Sequence, residues 1–320
     1  MASPISKLEE LLCAARDAGA SDVHLTVGSS PRMRVEGELI TMDAPGILPS
    51  DTLDILLSVM NEAQRDLFEE SGEYDFSISF PGGGRCRASA YKQKGSVAFS
   101  LRLLNREIPS LEGLGVPNAV EELCRLRRGL VLVTGLSGSG KSSTLAAMVD
   151  YINSHRNAHI VTLEDPIEYI HPHKMALVSQ REIGVDSRDY VHALRAALRE
   201  DPDVIMVGEL CGCEAVNAAV AAAETGCLVL ASLNTADIVS AIGHIIYENV
   251  PDRQPQVCVR LADVLEAVVC QRLCLDEVGG QKAVFEVLRM NQEARSLIRE
   301  GQYLLLAQQV TVEGDLQEAP

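Results

Sequence analysis

The sequence predicts an α/β protein of two domains, in which the second domain is built on a parallel sheet. At about 150 residues per domain, a chain of 320 residues is expected to form two. Short apolar runs that do not alternate with polar residues are typical of parallel strands covered by helices on both faces. Four such runs, separated by helical patterns, lie at 129–134, 159–163, 204–207 and 228–232.

A segment with little periodicity divides the two predicted domains. Residues 105–118 hold two prolines and two glycines, and such a density of these residues is typical of a linker. We therefore expect a first domain over residues 1–104, a linker over 105–118 and a second domain over 119–320.

The first domain is predicted to mix helices and strands. Apolar residues at helical spacing begin at Ile5, and Gly19 is expected to end that helix. The alternating segment 21–28 predicts a strand that stops at a turn. The further elements predicted here are a hairpin over 32–40, a helix over 51–60, and strands at 74–80 and 85–104 around Gly82, Gly83 and Gly84.

The charge of the chain argues against one class of partner. Lys and Arg number 28 while Asp and Glu number 45, which gives a formal net charge of −17. A protein that binds nucleic acid without sequence preference needs a basic surface. We therefore expect no nucleic-acid partner.

The nine cysteines predict reduced thiols in a cytosolic protein, because their number is odd and the amino terminus lacks the features of a signal peptide. The close pairs, Cys211 with Cys213 and Cys270 with Cys274, do not form the CxxC…CxxC framework of a zinc site. No apolar stretch approaches the ~18 residues of a membrane span. We expect neither zinc nor a transmembrane helix.

A glycine-rich phosphate loop is the strongest functional signal in the sequence. Residues 135–142 match GxxxxGK[ST] between a predicted strand at 130–133 and a predicted helix at 143–153, which is the context that the motif requires. Glycines let backbone amides curl around a phosphate, and the helix amino terminus adds positive charge. The residues predicted to bind nucleotide are Gly135, Leu136, Ser137, Gly138, Ser139, Gly140, Lys141, Ser142 and Ser143.

Two side chains of this loop and two acids outside it are the candidates for phosphate binding, Mg²⁺ binding and activation of the attacking water. Lys141 is expected to reach the β- and γ-phosphates, and the Ser142 hydroxyl to bind Mg²⁺. Glu164 and Glu209 each follow a predicted strand, and ligands of parallel sheets lie beyond the carboxyl ends of strands. We expect Glu209 to hold Mg²⁺, partly through water, and Glu164 to orient or deprotonate the attacking water. The alternative is that each is a solvated acid that closes its strand.

These features together resemble the secretion-superfamily ATPases, and within them the PilT-type pilus retraction ATPases. The resemblance covers roughly residues 5–305. The stretches that carry it are GASDVHL (19–25), RGLVLVTG (128–135), TLEDPIEY (162–169), LREDPDVIMVGE (198–209) and ARSLIRE (294–300). The third and fourth stretches are similar to the family's Asp box and Walker B segment, and together they are highly specific.

The resemblance implies a PAS-like first domain and a RecA-like second domain, with ATP and Mg²⁺ bound between the subunits of a hexameric ring. It implies that arginines of the first domain complete the site, and Arg85, Arg87 and Arg102 lie in the matching strands. Arginine can grip phosphate bidentately, although ordinary charge on a strand face is the alternative. It also implies a cytoplasmic protein, peripheral at the inner face of the cell membrane, whose partner is an inner-membrane pilus platform protein.

The sequence departs from the family in its His box and after its Walker B segment. Where the family has two histidines, this chain has Cys227 and Asn234, and Cys211-Gly212 replaces an Arg-Asp pair. Asn234 can hydrogen-bond to a γ-phosphate but cannot become charged. These departures favour slow hydrolysis or an altered coupling of hydrolysis to motion.

The sequence leaves three functions open. The intact loop with Glu164 and Glu209 favours a motor ATPase that powers pilus retraction and hence twitching motility. The departures favour a nucleotide-binding regulator of a pilus machine that hydrolyses little. An assembly ATPase for a type IV pilus or for type II secretion is a third reading, ranked lower because the sequence shows neither an extra amino-terminal domain nor a four-Cys zinc insert.

Overall fold

The computed structural model describes residues 4–81, 84–104, 107–275 and 281–313. The chain forms two compact units, Met1–Glu107 and Ile108–Pro320. The segment expected to be a linker is divided between them, because Leu111 is already buried in a core of the second unit.

The first unit is an antiparallel sheet covered by helices. Its elements in chain order are α1 (Pro4–Asp17), β1 (Asp22–Leu25), β2 (Arg32–Val35), β3 (Glu38–Thr41), α2 (Pro49–Val59), α3 (Glu62–Ser71), β4 (Glu73–Phe80), β5 (Gly84–Gln93) and β6 (Ser96–Leu103). The strand order is β3-β2-β1-β6-β5-β4. One core joins Leu8 and Leu12 of α1, Ile55 of α2 and Phe68 of α3 to Phe99 of the sheet.

Most elements predicted for the first unit are confirmed, with differences at two places. The segment 85–104 forms two strands rather than one, and they turn at Lys94 and Gly95, which both have positive φ angles. Helix α3 has no counterpart in the sequence prediction, because only Phe68 of its side chains is fully buried and no apolar stripe marks it. The predicted turn residues Gly82 and Gly83 lie outside the described residues.

The second unit alternates strands and helices. Its first elements are α4 (Asn118–Leu123), β7 (Gly129–Thr134), α5 (Lys141–His155), β8 (His159–Glu164), β9 (Leu177–Glu182), α6 (Tyr190–Ala197), β10 (Val204–Val207), α7 (Cys213–Glu224) and β11 (Leu228–Leu233). There follow α8 (Ile238–Tyr247), a 3₁₀ helix (Pro251–Arg253), α9 (Gln254–Val264), β12 (Leu265–Leu275), β13 (Gln281–Arg289), α10 (Gln292–Arg299), a 3₁₀ helix (Tyr303–Gln309) and β14 (Thr311–Glu313).

These strands form one sheet in the order β14-β13-β12-β7-β11-β10-β8-β9. The pairings from β12 through β9 are all parallel, and β13 and β14 add an antiparallel edge. A parallel sheet aligns the carboxyl ends of its strands. The ends of β7, β11, β10 and β8 therefore lie along one edge, near which lie the predicted site residues Lys141, Asn234, Glu209 and Glu164.

Helices on both faces explain the continuous apolar strands. Side chains alternate between the two faces of a strand. In β7, Leu130 and Leu132 join a core that includes α7, whereas Val131 and Val133 join a second core that includes α5. Both faces are thus buried, so the run lacks the alternating polar residues that would mark a solvent face. None of the helices in the described parts of the chain has the length and apolar character of a membrane span.

Candidate functional site

The phosphate loop joins β7 to α5 and lies against β12. A Cβ on Gly135 would lie 2.3 Å from the Gln271 carbonyl oxygen and 2.4 Å from Ser139 Oγ. A Cβ on Gly140, whose φ is +90°, would lie 2.8 Å from Gln271 Nε2. Both positions therefore require glycine, since neither the space nor the left-handed backbone suits another residue. The loop is packed into the tight curve that a phosphate-binding loop needs.

Lys141 lies within this curve. Its Nζ donates to the carbonyl oxygens of Gly135 at 2.8 Å and Leu136 at 3.0 Å. Burial lowers the pKa of Lys141, and the Glu209 carboxylate opposes that shift. The ammonium group is thus held among loop carbonyls, facing the acid that follows β10.

The residues of the loop fit a phosphate. Within the described part of the chain, the buried Ser139 Oγ has no hydrogen-bond partner. The glycine backbone forms a cradle that side chains would fill, and the helix amino terminus at Lys141 favours an anion. A buried unpaired hydroxyl, a cationic side chain and a helix terminus in one loop are the features that triphosphate binding uses.

The first turn of α5 contacts the segment that follows β8. Ser142 Oγ lies 3.4 Å from Glu168 Oε1, and Ser143 Oγ lies 2.8 Å from the Tyr169 hydroxyl. Mg²⁺ is usually bound by one or two protein oxygens together with substrate phosphates. The Ser142 hydroxyl is therefore suited to be a magnesium ligand, with the carboxylate of Glu168 beside it.

Glu164 is the last residue of β8 and is only 8% exposed. Thr162 Oγ1 donates to its Oε1 at 2.6 Å, and Gln180 Nε2 donates to the same oxygen at 3.0 Å. Burial raises the pKa of Glu164, while these hydrogen bonds oppose the shift. A carboxylate in this setting can accept a proton more readily than an exposed one.

Glu209 and Asn234 meet at the ends of neighbouring strands. Glu209 follows β10 and is exposed, and Asn234, which follows β11, donates from Nδ2 to Glu209 Oε1 at 2.5 Å. Strand β11 lies between β7 and β10, so the two acids are not on strands that pair directly with the phosphate-loop strand. Asn234, at the end of the intervening strand β11, spans that gap and places its amide against Glu209, the predicted magnesium ligand.

Hydrogen bonds at the end of β7 fix the position of the Asn234 segment. Thr134 Oγ1 donates to the Thr235 carbonyl oxygen at 2.8 Å and lies 2.5 Å from the Thr235 hydroxyl. Thr134 precedes Gly135, the first residue of the loop. These hydrogen bonds therefore join the start of the phosphate loop to the segment that carries Asn234.

Cys227 lies at the opposite end of β11 from Asn234. Its thiol donates to the Pro202 carbonyl oxygen at 3.2 Å, and its own carbonyl accepts from Gly129 at the start of β7. Six strand residues, which span about 20 Å, separate it from the site edge. Of the two departures in the His box, only Asn234 is at the site.

The three arginines of the first unit share one face of its sheet. Arg87 and Arg102 are paired across β5 and β6, and Arg85 is two residues from Arg87. Arg87 Nη2 contacts Asp75 at 3.1 Å, and Arg102 Nε contacts Asp22 at 3.2 Å. Arg102 is 71% exposed. The sheet thus places the three arginines on one face, where Arg87 and Arg102 are each paired with an aspartate.

Several residues at the site have no role that the sequence motifs predicted. Thr162 and Gln180 contact Glu164, and Gln271 contacts the loop and accepts from Thr144 Oγ1 at 2.6 Å. The hydroxyl of the half-buried Tyr190 lies against Gly208, and partial burial together with nearby carboxylates raises the pKa of Tyr190. A polar residue inside an apolar strand is the signal that could have marked Thr162. The others depend on strand pairing, which no local pattern shows.

No preformed metal cluster exists in the described residues. There, no group of three or more His, Cys, Asp or Glu side chains could hold a metal ion. The nine cysteines are all free thiols. A magnesium ion bound here would therefore depend on the nucleotide for part of its coordination.

A glycine-rich loop between a parallel strand and a helix, with acids at the ends of nearby strands, defines a P-loop protein. The chain belongs to the family described as Type II/IV secretion system protein, which matches residues 3–317. That match covers both units.

Individual relatives agree with this assignment. The chain is 41% identical to "Uncharacterized protein YggR" of Escherichia coli strain K12, over 92% of this chain and 89% of that protein. It is 42% identical to "Type IV pilus ATPase PilU" of Pseudomonas aeruginosa strain PAO1, over 92% of this chain and 78% of that protein.

A solved structure supports the same fold. The crystal structure of "the Pilus Retraction Motor PilT and Bound ADP" superposes with a TM-score of 0.88 at 45% identity, covering 94% of this chain and 88% of that one. The predicted fold class, a RecA-like α/β unit preceded by a smaller α+β, PAS-like unit, is confirmed.

Proposed function

We propose that this chain is a motor ATPase of the PilT type, which hydrolyses ATP to power pilus retraction and twitching motility. The observation that carries the proposal is the arrangement of one sheet edge. There the phosphate loop with Lys141 follows β7, while Glu209 and Glu164 lie at the ends of β10 and β8. The similarity to a retraction motor with bound ADP supports the same conclusion.

Each residue has a role in this proposal. The loop amides and Lys141 bind the β- and γ-phosphates, and Ser142 with Glu209 holds Mg²⁺, the glutamate partly through water. Asn234, which already donates to Glu209, lies where it can also reach the γ-phosphate. Glu164 orients the attacking water and accepts its proton.

The assembly that we propose is a homo-hexameric ring with nucleotide between subunits. Arg85, Arg87 and Arg102 would then complete the phosphate site from the first unit, because their shared face presents guanidinium groups suited to phosphate. The ring would act in the cytoplasm, peripheral to the inner face of the cell membrane, on a platform protein of the pilus machine. Nucleic acid and zinc have no part in this function.

Steady-state phosphate release from Mg-ATP tests the proposal. We expect Lys141→Ala to lower release at least about a hundredfold, because the phosphates lose their cation, and Glu209→Gln to lower it similarly through loss of the metal site. Lys92→Ala is the matched control, since Lys92 lies in the first unit and pairs with Glu69. Equal release by the unchanged chain, Lys141→Ala and Glu209→Gln would contradict the motor function.

A second function is favoured by one observation at the same edge. Asn234 is a neutral amide where the family has a histidine, and it is bonded directly to Glu209. A chain whose sensor cannot become charged is suited to bind nucleotide and turn it over slowly, as a regulator of a pilus machine. An assembly ATPase for a pilus or for type II secretion stays an alternative within the same family.

ATP binding measured beside turnover separates these functions. If the chain is a regulator, we expect tight ATP binding without measurable phosphate release, even in the assembled ring. The motor predicts release that saturates with ATP and disappears in Lys141→Ala.

A further inference from the structure

Thr162, at the start of the Asp-box-like stretch, and Gln180, outside the motifs, both donate to the carboxylate of Glu164. We propose that Thr162 and Gln180 are positioning residues for hydrolysis, which hold the Glu164 carboxylate in place through hydrogen bonds to its Oε1. The inference rests on the proposed function, because it assigns these residues a role in the same reaction.

Thr162 is placed by the pleat of β8. It lies two residues before Glu164, so both side chains extend from the same face of the strand. Thr162 is 0% exposed, and its Oγ1 donates to Glu164 Oε1 at 2.6 Å. Because the hydroxyl is fully buried, water cannot readily replace it as a donor if it is removed.

Gln180 is placed by the pairing of β9 with β8, in which it lies directly opposite Thr162. Its Oε1 accepts from the backbone N–H of His171 at 2.7 Å, and its Nε2 donates to the Tyr169 carbonyl at 2.8 Å. These two bonds determine which end of the amide is nitrogen. The second hydrogen of Nε2 must therefore point to Glu164 Oε1, 3.0 Å away.

Both donors contact the same carboxylate oxygen. Thr162 and Gln180 bond to Oε1, and neither bonds to Oε2. In hydrolysis the water oxygen bonds to the terminal phosphorus while the bond to the ADP oxygen breaks, and the proton of the water passes to the carboxylate. The Glu168 backbone N–H is a third donor to this carboxylate, so three hydrogen bonds together orient the group that takes the proton.

The donors also oppose the effect of burial. Burial raises the pKa of Glu164, and the hydrogen bonds from Thr162, Gln180 and the Glu168 backbone lower it. Three other ionisable groups lie around Glu164. The Glu168 carboxylate raises the pKa of Glu164, and the Tyr190 hydroxyl approaches from α6. Glu182 lies opposite Glu164 on β9, and its carboxylate accepts from the Ile167 N–H. Loss of either donor leaves more Glu164 protonated, and so inactive as a base, at low pH.

Turnover across pH tests the proposal with a matched pair. Thr162→Val keeps the shape of the side chain and removes the donor, whereas Thr162→Ser keeps the hydroxyl. We expect Thr162→Val and Gln180→Leu to lower kcat about tenfold near pH 6 and less near pH 8, with KM for ATP nearly unchanged. Thr162→Ser is expected to keep most of the kcat that Thr162→Val loses. The proposal would be overturned if Thr162→Val lowered kcat equally at every pH, or if Thr162→Ser lowered kcat as much as Thr162→Val does.

A titration that does not need turnover separates this proposal from the proposed function. Carbon-13 NMR of the full chain labelled at Glu carboxyl groups, with the Glu164 signal assigned through Glu164→Gln, gives the midpoint of its protonation. We expect a higher midpoint in Thr162→Val than in the unchanged chain, and the same midpoint in both would refute the positioning role. Absence of phosphate release by the unchanged chain would contradict the proposed function instead, and the midpoints would still decide on Thr162.

Discussion

Gly140 shows how a single residue sets the geometry of the phosphate loop. Its φ is +90°, and its Cα faces the Gln271 amide, which is itself held by the Thr144 hydroxyl at 2.6 Å. A side chain at this position would meet both a strained backbone and a fixed neighbour. The loop can therefore keep its curve before any nucleotide arrives.

Gly140→Ala is expected to weaken ADP binding at least about tenfold, through roughly 1–2 kcal/mol of backbone strain and displacement of the Gln271 amide. Gly138→Ala is the matched control, because its φ is +81° but a Cβ there would meet nothing within 4 Å. Isothermal titration with ADP measures both. If Gly138→Ala lost as much ADP affinity as Gly140→Ala, backbone strain alone, and not the contact with Gln271, would decide ADP binding.

At the scale of elements, the sequence predicted four strands inside the parallel sheet but not β12, which pairs with β7. Strands β7, β8, β10 and β11 are apolar on both faces, and such runs stand out from their helical surroundings. Because Glu164 and Glu209 end two of these strands, their place at the sheet edge followed from the pattern. The order of the strands did not, since pairing is not encoded in any local run.

The edge strand β9 shows why part of the site could not be predicted. It reads LVSQRE, with polar residues at four of its six positions. An edge strand is buried less completely, so its sequence resembles a loop. Gln180 lies on this strand, and its contact with Glu164 depends on the pairing of β8 with β9, which only the structure shows.

At the scale of the whole molecule, the acidic chain gathers three arginines on one face of its first unit. The net charge is −17, yet Arg85, Arg87 and Arg102 lie together on β5 and β6. An exposed ion pair such as Arg102 with Asp22 adds little stability. The role that we propose for this face is contact with phosphate.

Mixing two inactive chains tests whether these arginines act across subunits. Arg102→Ala keeps the phosphate loop, and Lys141→Ala keeps the arginines. If the site is shared, mixed rings contain some sites with both parts intact, so the mixture should release phosphate faster than either variant alone. Arg16→Ala mixed with Lys141→Ala is the control, because Arg16 pairs with its neighbour Asp17. A mixture no faster than the average of its components would show that the arginines do not act in a neighbouring subunit.

Glu164 is the proposed base for ATP hydrolysis at this sheet edge. Glu164→Gln preserves the shape of the side chain and removes its charge, so the decisive measurement is its ATP turnover relative to its ATP affinity. We predict affinity within about threefold of the unchanged chain and turnover at least about a hundredfold lower. Turnover at the rate of the unchanged chain, with affinity retained, would contradict the account.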